Sequence, residues 1–123
     1  MKPKYLEKEF LKNVSYERQK EYLKVHEIKK ERLKQEKIKN DFMLFVKEVW
    51  PEFIEGRHHK EIADKFNKIA KKKINRLIIN MPPRHTKSEF ASFLLPAWMV
   101  GRKPDLKIIQ TSNTTELALR FGR

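Results

Sequence analysis

The spacing of apolar residues changes character at Arg76, and that change limits the fold more than any other feature. Before it, apolar residues recur at helical intervals. Phe42, Phe45, Val46 and Val49 form one stripe, and Ile62, Phe66, Ile69 and Ala70 form another. After it, "RLIIN" at 76–80 is a short continuous apolar run, the pattern of a strand buried on both faces. "KSEFASFLLPAWMVG" returns to helical spacing with Phe90, Phe93, Leu94, Ala97 and Trp98, and ends at Gly101. Pro96 is expected to kink this helix near the carbonyl of Ser92. "RKPD" turns the chain, "LKIIQTS" at 106–112 reads as a second buried strand, and a last helix starts with Asn113 or Thr114 as its cap. The predicted class is therefore α/β: a βαβ unit with parallel strands and a right-handed crossover, preceded by charged N-terminal helices.

Three segments follow from this pattern. Residues 1–40 are glycine-free and rich in helix formers. Their apolar positions (Leu6, Phe10, Val14, Val25, Ile28) are too sparse for a wide buried stripe, so a basic, exposed helical arm is expected. Such an arm is either a solvated surface or a contact for DNA phosphates or another subunit. Residues 41–75 hold two amphipathic helices. The first is capped by Asn40 or Asp41 and stopped at Trp50-Pro51, and the second runs from about His58 to Lys73. The lysines at 71–73 complement the negative end of that helix, which accounts for them more simply than DNA binding does. Residues 76–123 hold the predicted βαβ unit.

The net charge of +13 implies a polyanionic partner, and the basic excess lies at the two ends of the chain. The absence of cysteine excludes disulfides and thiolate metal sites. No apolar run approaches the ~20 residues of a membrane span, and the start lacks an apolar signal region, so the sequence reads as that of a soluble intracellular protein. His26, His58 and His59 show no metal-ligand spacing and are assigned no chemistry.

"NMPPRHTKSEF", residues 80–90, joins the first predicted strand to the helix. A phosphate loop turns backbone N–H groups at a helix N-terminus toward one anion. Its lysine reaches the β- and γ-phosphates, and the following Ser or Thr holds magnesium. Lys87 and Ser88 occupy those two positions, but both glycines of the usual pattern are absent, replaced by Met81 and Thr86. Pro82 and Pro83 contribute no N–H, so the cradle falls to Arg84, His85, Thr86, Lys87 and Ser88. Because a β-branched residue is strained at positive φ, Thr86 is expected to keep φ below zero. The simpler alternative is a polar crossover turn with no ligand.

Residues 50–123, and above all "RLIINMPPRHTKSEFASFLLPAWMVGRKPDLKIIQTSNTTELALRFGR", resemble the ATPase domain of tailed-phage terminase large subunits. That family carries P-P-R-H-G-K-S after an apolar strand, then a P-A-W-like segment, Gly-Arg-x-Pro, and a helix matched by Leu117, Ala118, Phe121 and Arg123. Thr86 in place of glycine is the one departure within the motif, and His59 matches a recurring position upstream.

The resemblance implies a partial P-loop NTPase core that binds ATP and Mg2+. Pro83, Arg84, His85, Thr86, Lys87 and Ser88 would contact the nucleotide, with Ser88 on the metal. Lys87 on the β/γ-phosphates and Arg84 as γ-phosphate sensor would be the catalytic pair, while His85 shapes the loop. The implied role is ATP-driven packaging of double-stranded viral DNA into a capsid, in the host cytoplasm during bacteriophage assembly. The implied partners are a portal, a small terminase subunit and further copies in a ring. No apolar run ending in Asp-Glu and no nuclease-type carboxylate cluster follows, so the sequence reads as an N-terminal portion not expected to hydrolyse ATP efficiently by itself. A helicase-like P-loop ATPase and a non-enzymatic, basic DNA-binding adaptor with a vestigial loop are the alternatives.

Overall fold

The computed structural model describes residues 15–122. Its elements are α1 (Tyr16–Asn40), α2 (Phe42–Val49), α3 (Arg57–Ala70), a π-helix (Glu89–Leu94), α4 (Leu95–Arg102) and α5 (Thr115–Gly122). The chain divides after Glu36 into two units. In the first, residues 16–36 form a helical arm with no buried residue, as its sparse apolar pattern requires. Leu6, Phe10 and Val14 of the predicted arm, and Arg123 of the family match, lie outside the described residues.

In the second unit, α2 begins where the sequence offers a cap. Asp41 accepts the Leu44 N–H at 3.0 Å, and Asn67 of α3 accepts the Phe42 N–H at 2.9 Å. Two of the N–H groups a helix start leaves unpaired are thereby satisfied, one of them by a different helix. The α2 stripe brings Phe42 and Val46 to complete burial, where they meet Ile62, Ala63 and Phe66 of α3 and Phe90, Leu94 and Trp98 beyond the loop. Phe42 is the centre. Phe66, Phe90 and Trp98 stand nearly perpendicular to its ring at centroid distances of 5.0, 5.5 and 5.4 Å, the edge-to-face geometry aromatic quadrupoles favour. The Trp98 indole N–H donates to the Ile38 carbonyl at 3.0 Å, and the Arg102 guanidinium covers its ring at 4.7 Å. Not all of the predicted stripe is covered. Phe45, Val49, Phe93 and Ala97 lie at its edge and line an open apolar groove of about 350 Å3 with Trp50.

The α/β class predicted from the sequence is overturned: the structure is all-helical, with no strand or sheet among the described residues. Residues 76–80 and 106–112 run without regular structure, and no backbone hydrogen bond joins them. Leu77, Ile79 and Met81 lean on the helical core, but Ile78 and Ile109 are 86% and 90% exposed. Two-sided burial of parallel strands needs helices on both faces and neighbours at both edges. Here the helices close their aromatic core among themselves and leave each apolar run at most one face to pack against.

Pro96 acts at the residue predicted for it, by a different route. It sits at the second position of α4, and the preceding turn widens into the π-helix, with the Leu95 N–H reaching the Phe90 carbonyl. The Ser92 carbonyl, four residues before a proline that has no N–H, instead accepts the Gln110 side-chain amide at 2.5 Å. At the far end Thr114 caps α5, its side-chain oxygen accepting the Leu117 N–H. The lysine run closes α3 in a Schellman arrangement: Lys73 N–H to Lys68 carbonyl and Lys72 N–H to Ile69 carbonyl, both at 2.8 Å, with Lys72 left-handed at φ 56°. Among the described residues, no helix is long and apolar enough to cross a membrane.

Truncating the central ring, Phe42→Ala, is expected to cost about 3–5 kcal/mol, enough to abolish a cooperative urea transition followed by tryptophan fluorescence. Lys72→Gly is expected to raise the urea midpoint, with a gain of about 1 kcal/mol from relieving the left-handed lysine, whereas Lys72→Ala should leave it unchanged.

Candidate phosphate-binding loop

The loop begins at Met81, which packs against the core, and ends at Lys87 and Ser88, the first helical residues before the π-helix. The Phe90 N–H bonds the Thr86 carbonyl at 2.9 Å, so the chain enters the helix directly from Thr86. Pro82, Pro83, Arg84, His85, Thr86, Lys87, Ser88 and Glu89 all face one open cavity of about 320 Å3. The six positions singled out from the sequence therefore converge on a single space.

Thr86 contradicts the sequence expectation. Its φ is 55°, in the left-handed region, and Arg84 shares that geometry at φ 64°. A left-handed residue costs roughly 1–2 kcal/mol, more when β-branched, so something must hold Thr86 there. The Thr86 hydroxyl donates to the His85 carbonyl at 2.7 Å, and His59 Nε2 lies 2.7 Å from the same oxygen. His85 in turn uses Nδ1 to reach the Pro83 carbonyl at 2.9 Å. Left-handed residues stand on either side of His85, and left-handed residues recur in the turns from which anion-binding nests are built. The first N–H groups of the helix, which have no partner within it, start at the same place.

Lys87 arches back over the loop, its ammonium 3.4 Å from the Met81 carbonyl. That bond is long, and Lys87 is only half-buried, so a stronger acceptor could draw its ammonium away. Ser88 is exposed at the helix start. Glu89 lines the cavity too, setting one carboxylate against the Arg84 and Lys87 cations. No group of three or more His, Asp or Glu side chains suited to a metal ion occurs among the described residues. A magnesium ion here would have to arrive with its own oxygen ligands, as it does when phosphates carry it.

Two residues of the site were given no role there from the sequence. Glu89 belongs to the helix that the loop leads into, and its place beside the Lys-Ser pair was the available signal. His59, assigned no chemistry from the sequence, is 7% exposed and lies in α3, 27 residues from its partner Thr86. No local pattern could have shown that contact. No family model, curated protein or solved structure matches the chain.

Replacing the Thr86 hydroxyl by a methyl, Thr86→Val, keeps the branched shape but leaves the His59 Nε2 without its acceptor. The expected cost is about 1–3 kcal/mol, read from urea unfolding. Thr86→Gly, which loses the same bond but relieves the left-handed strain, should cost less than Thr86→Val.

Proposed function

We propose that the loop from Met81 to Glu89 binds the phosphates of ATP with Mg2+, and that the chain is the nucleotide-binding portion of a phage terminase large subunit. The observation that carries the phosphate reading is the left-handed pair Arg84 and Thr86 at a helix start, with the Lys87 ammonium folded across the same loop. A polar crossover turn has no need for two strained residues there. The setting is a helical scaffold, and the phosphate reading rests on the loop itself.

In this reading each residue has a limited task. The N–H groups from Arg84 to Ser88 cradle phosphate oxygens, and the prolines before them stiffen the entry by fixing φ. Lys87 exchanges the Met81 carbonyl for the β/γ-phosphates, gaining charge-assisted hydrogen bonds. The Arg84 guanidinium faces the γ-phosphate, and the Ser88 hydroxyl supplies one oxygen to the magnesium. Glu89 adds one carboxylate to the cavity, and a magnesium ion held there through Ser88 would supply positive charge to offset it.

The terminase assignment is supported by the sequence resemblance over residues 50–123, and the partners follow from it: double-stranded viral DNA, a portal, a small terminase subunit and further copies of the chain in a ring. The exposed basic arm suits contact with DNA phosphates during phage assembly in the host cytoplasm.

Titration with Mg2+-ATP by calorimetry tests the loop. Lys87→Ala should weaken binding by about 10- to 100-fold, the loss of one or two charge-assisted hydrogen bonds. Equal affinity of the variant and the parent chain would refute the phosphate assignment.

A further inference from the structure

His59 is held at both ring nitrogens. Its Nδ1 accepts the Gly56 N–H at 2.9 Å, and its Nε2 faces the Thr86 hydroxyl at 2.7 Å. The tautomer follows from counting protons. A backbone N–H can only donate, so Nδ1 carries no hydrogen. The single hydroxyl proton of Thr86 goes to the His85 carbonyl, which can only accept, so Nε2 must supply the hydrogen between it and Thr86. His59 is thus a neutral imidazole with fixed polarity, in a chain running from Gly56 through Thr86 to the carbonyl of His85.

We infer that His59 is a positioning residue for the phosphate loop, its neutral imidazole holding Thr86 in the left-handed conformation that the loop requires. The inference rests on the reading of residues 81–89 as a phosphate site and names a control on that same site. The surroundings are built to keep the ring in place and uncharged. Phe53 and Phe90 flank it, with ring centroids at 4.7 and 5.1 Å. Gly56 packs closely on the histidines: a Cβ there would come within 2.9 Å of the His58 ring and 3.3 Å of His59 Nδ1, so a side chain at 56 would require the His58 ring to shift.

The charged and titratable groups around His59 are His58 beside it in α3, His85 on the loop, and Glu55 before α3. Burial is the main cause that lowers the His59 pKa below its ordinary 6.5; His58 and His85 lower it further and Glu55 opposes them. Protonation would place a hydrogen on Nδ1 against the Gly56 N–H, setting two donors face to face and breaking the chain at its start. The sign follows: the folded group binds its proton less readily than the unfolded one. The stabilisation is complete above pH 6.5 and is lost as the pH falls below 6.5 through the lowered folded value.

This sets the geometry against simple electrostatics. Added positive charge near the loop would strengthen phosphate binding in acid, whereas loss of the left-handed Thr86 would weaken it. The test is an NMR titration of the isotope-labelled full chain between about pH 8 and about pH 5, paired with Mg2+-ATP calorimetry over the same range. At the upper end, His59 should show the Nε2–H tautomer. The Gly56 and Thr86 amide signals should then move with its ring as the pH falls, and ATP affinity should drop about tenfold in step, a change of about 1.4 kcal/mol. In His59→Gln, which carries no titrating group at that position, the Thr86 signal should no longer follow pH through this window. An Nδ1–H tautomer, or a Thr86 amide that stays still while His59 titrates in the parent chain, overturns the inference even if the variant fails to fold. If the loop follows His59 but Mg2+-ATP binds at no pH, the positioning role stands and the nucleotide reading falls.

Discussion

The second unit hangs on one ring. Phe42 is fully buried and takes edge contacts from Phe66 in α3, Phe90 in the π-helix and Trp98 in α4. Each of those residues sits on a different helical segment, so three segments meet a fourth at a single side chain. Its backbone takes part as well, since the Phe42 N–H is held by Asn67 of α3, whose amide also reaches Asp41. Burial and capping therefore locate α2 against α3 at the same position. The loop from Met81 to Glu89 inherits this placement. Phe90 follows the loop by two residues past Ser88 and is pinned in the core, so the loop's helical end is anchored while its other residues face solvent.

Much of this was legible in the chain. The spacing of Phe42, Phe45, Val46 and Val49, and of Ile62, Phe66, Ile69 and Ala70, marked α2 and α3, because a helix repeats its face every three to four residues. Asp41, Pro51 and Thr114 marked boundaries through local hydrogen bonding and ring geometry that act within a few residues. The runs at 76–80 and 106–112 were illegible for a related reason. A continuous apolar stretch has no period, and what it becomes depends on partners elsewhere in space. The sequence suggested strands, and the helical core left no sheet for them to join.

The loop shows the same division. Its residue types and their convergence could be read from the Lys-Ser pair and the prolines, but its conformation could not. Thr86 lies in a region that steric rules alone disfavour, and the compensation comes from His59, on a helix well separated along the chain. Local preference predicted the wrong sign of φ because a long-range hydrogen-bond chain outweighed it.

Pro96 makes the point in reverse. What it contributes to the tertiary structure is a missing atom: without its N–H, the Ser92 carbonyl is left to find a donor, and Gln110 supplies one. The two positions are therefore coupled through one carbonyl. A residue with an N–H at 96 would offer the Ser92 carbonyl a donor from within the helix, while a change at 110 removes the side-chain amide that now serves it. A substitution at either site therefore changes what the other has to satisfy, across a turn and a run of chain without regular structure.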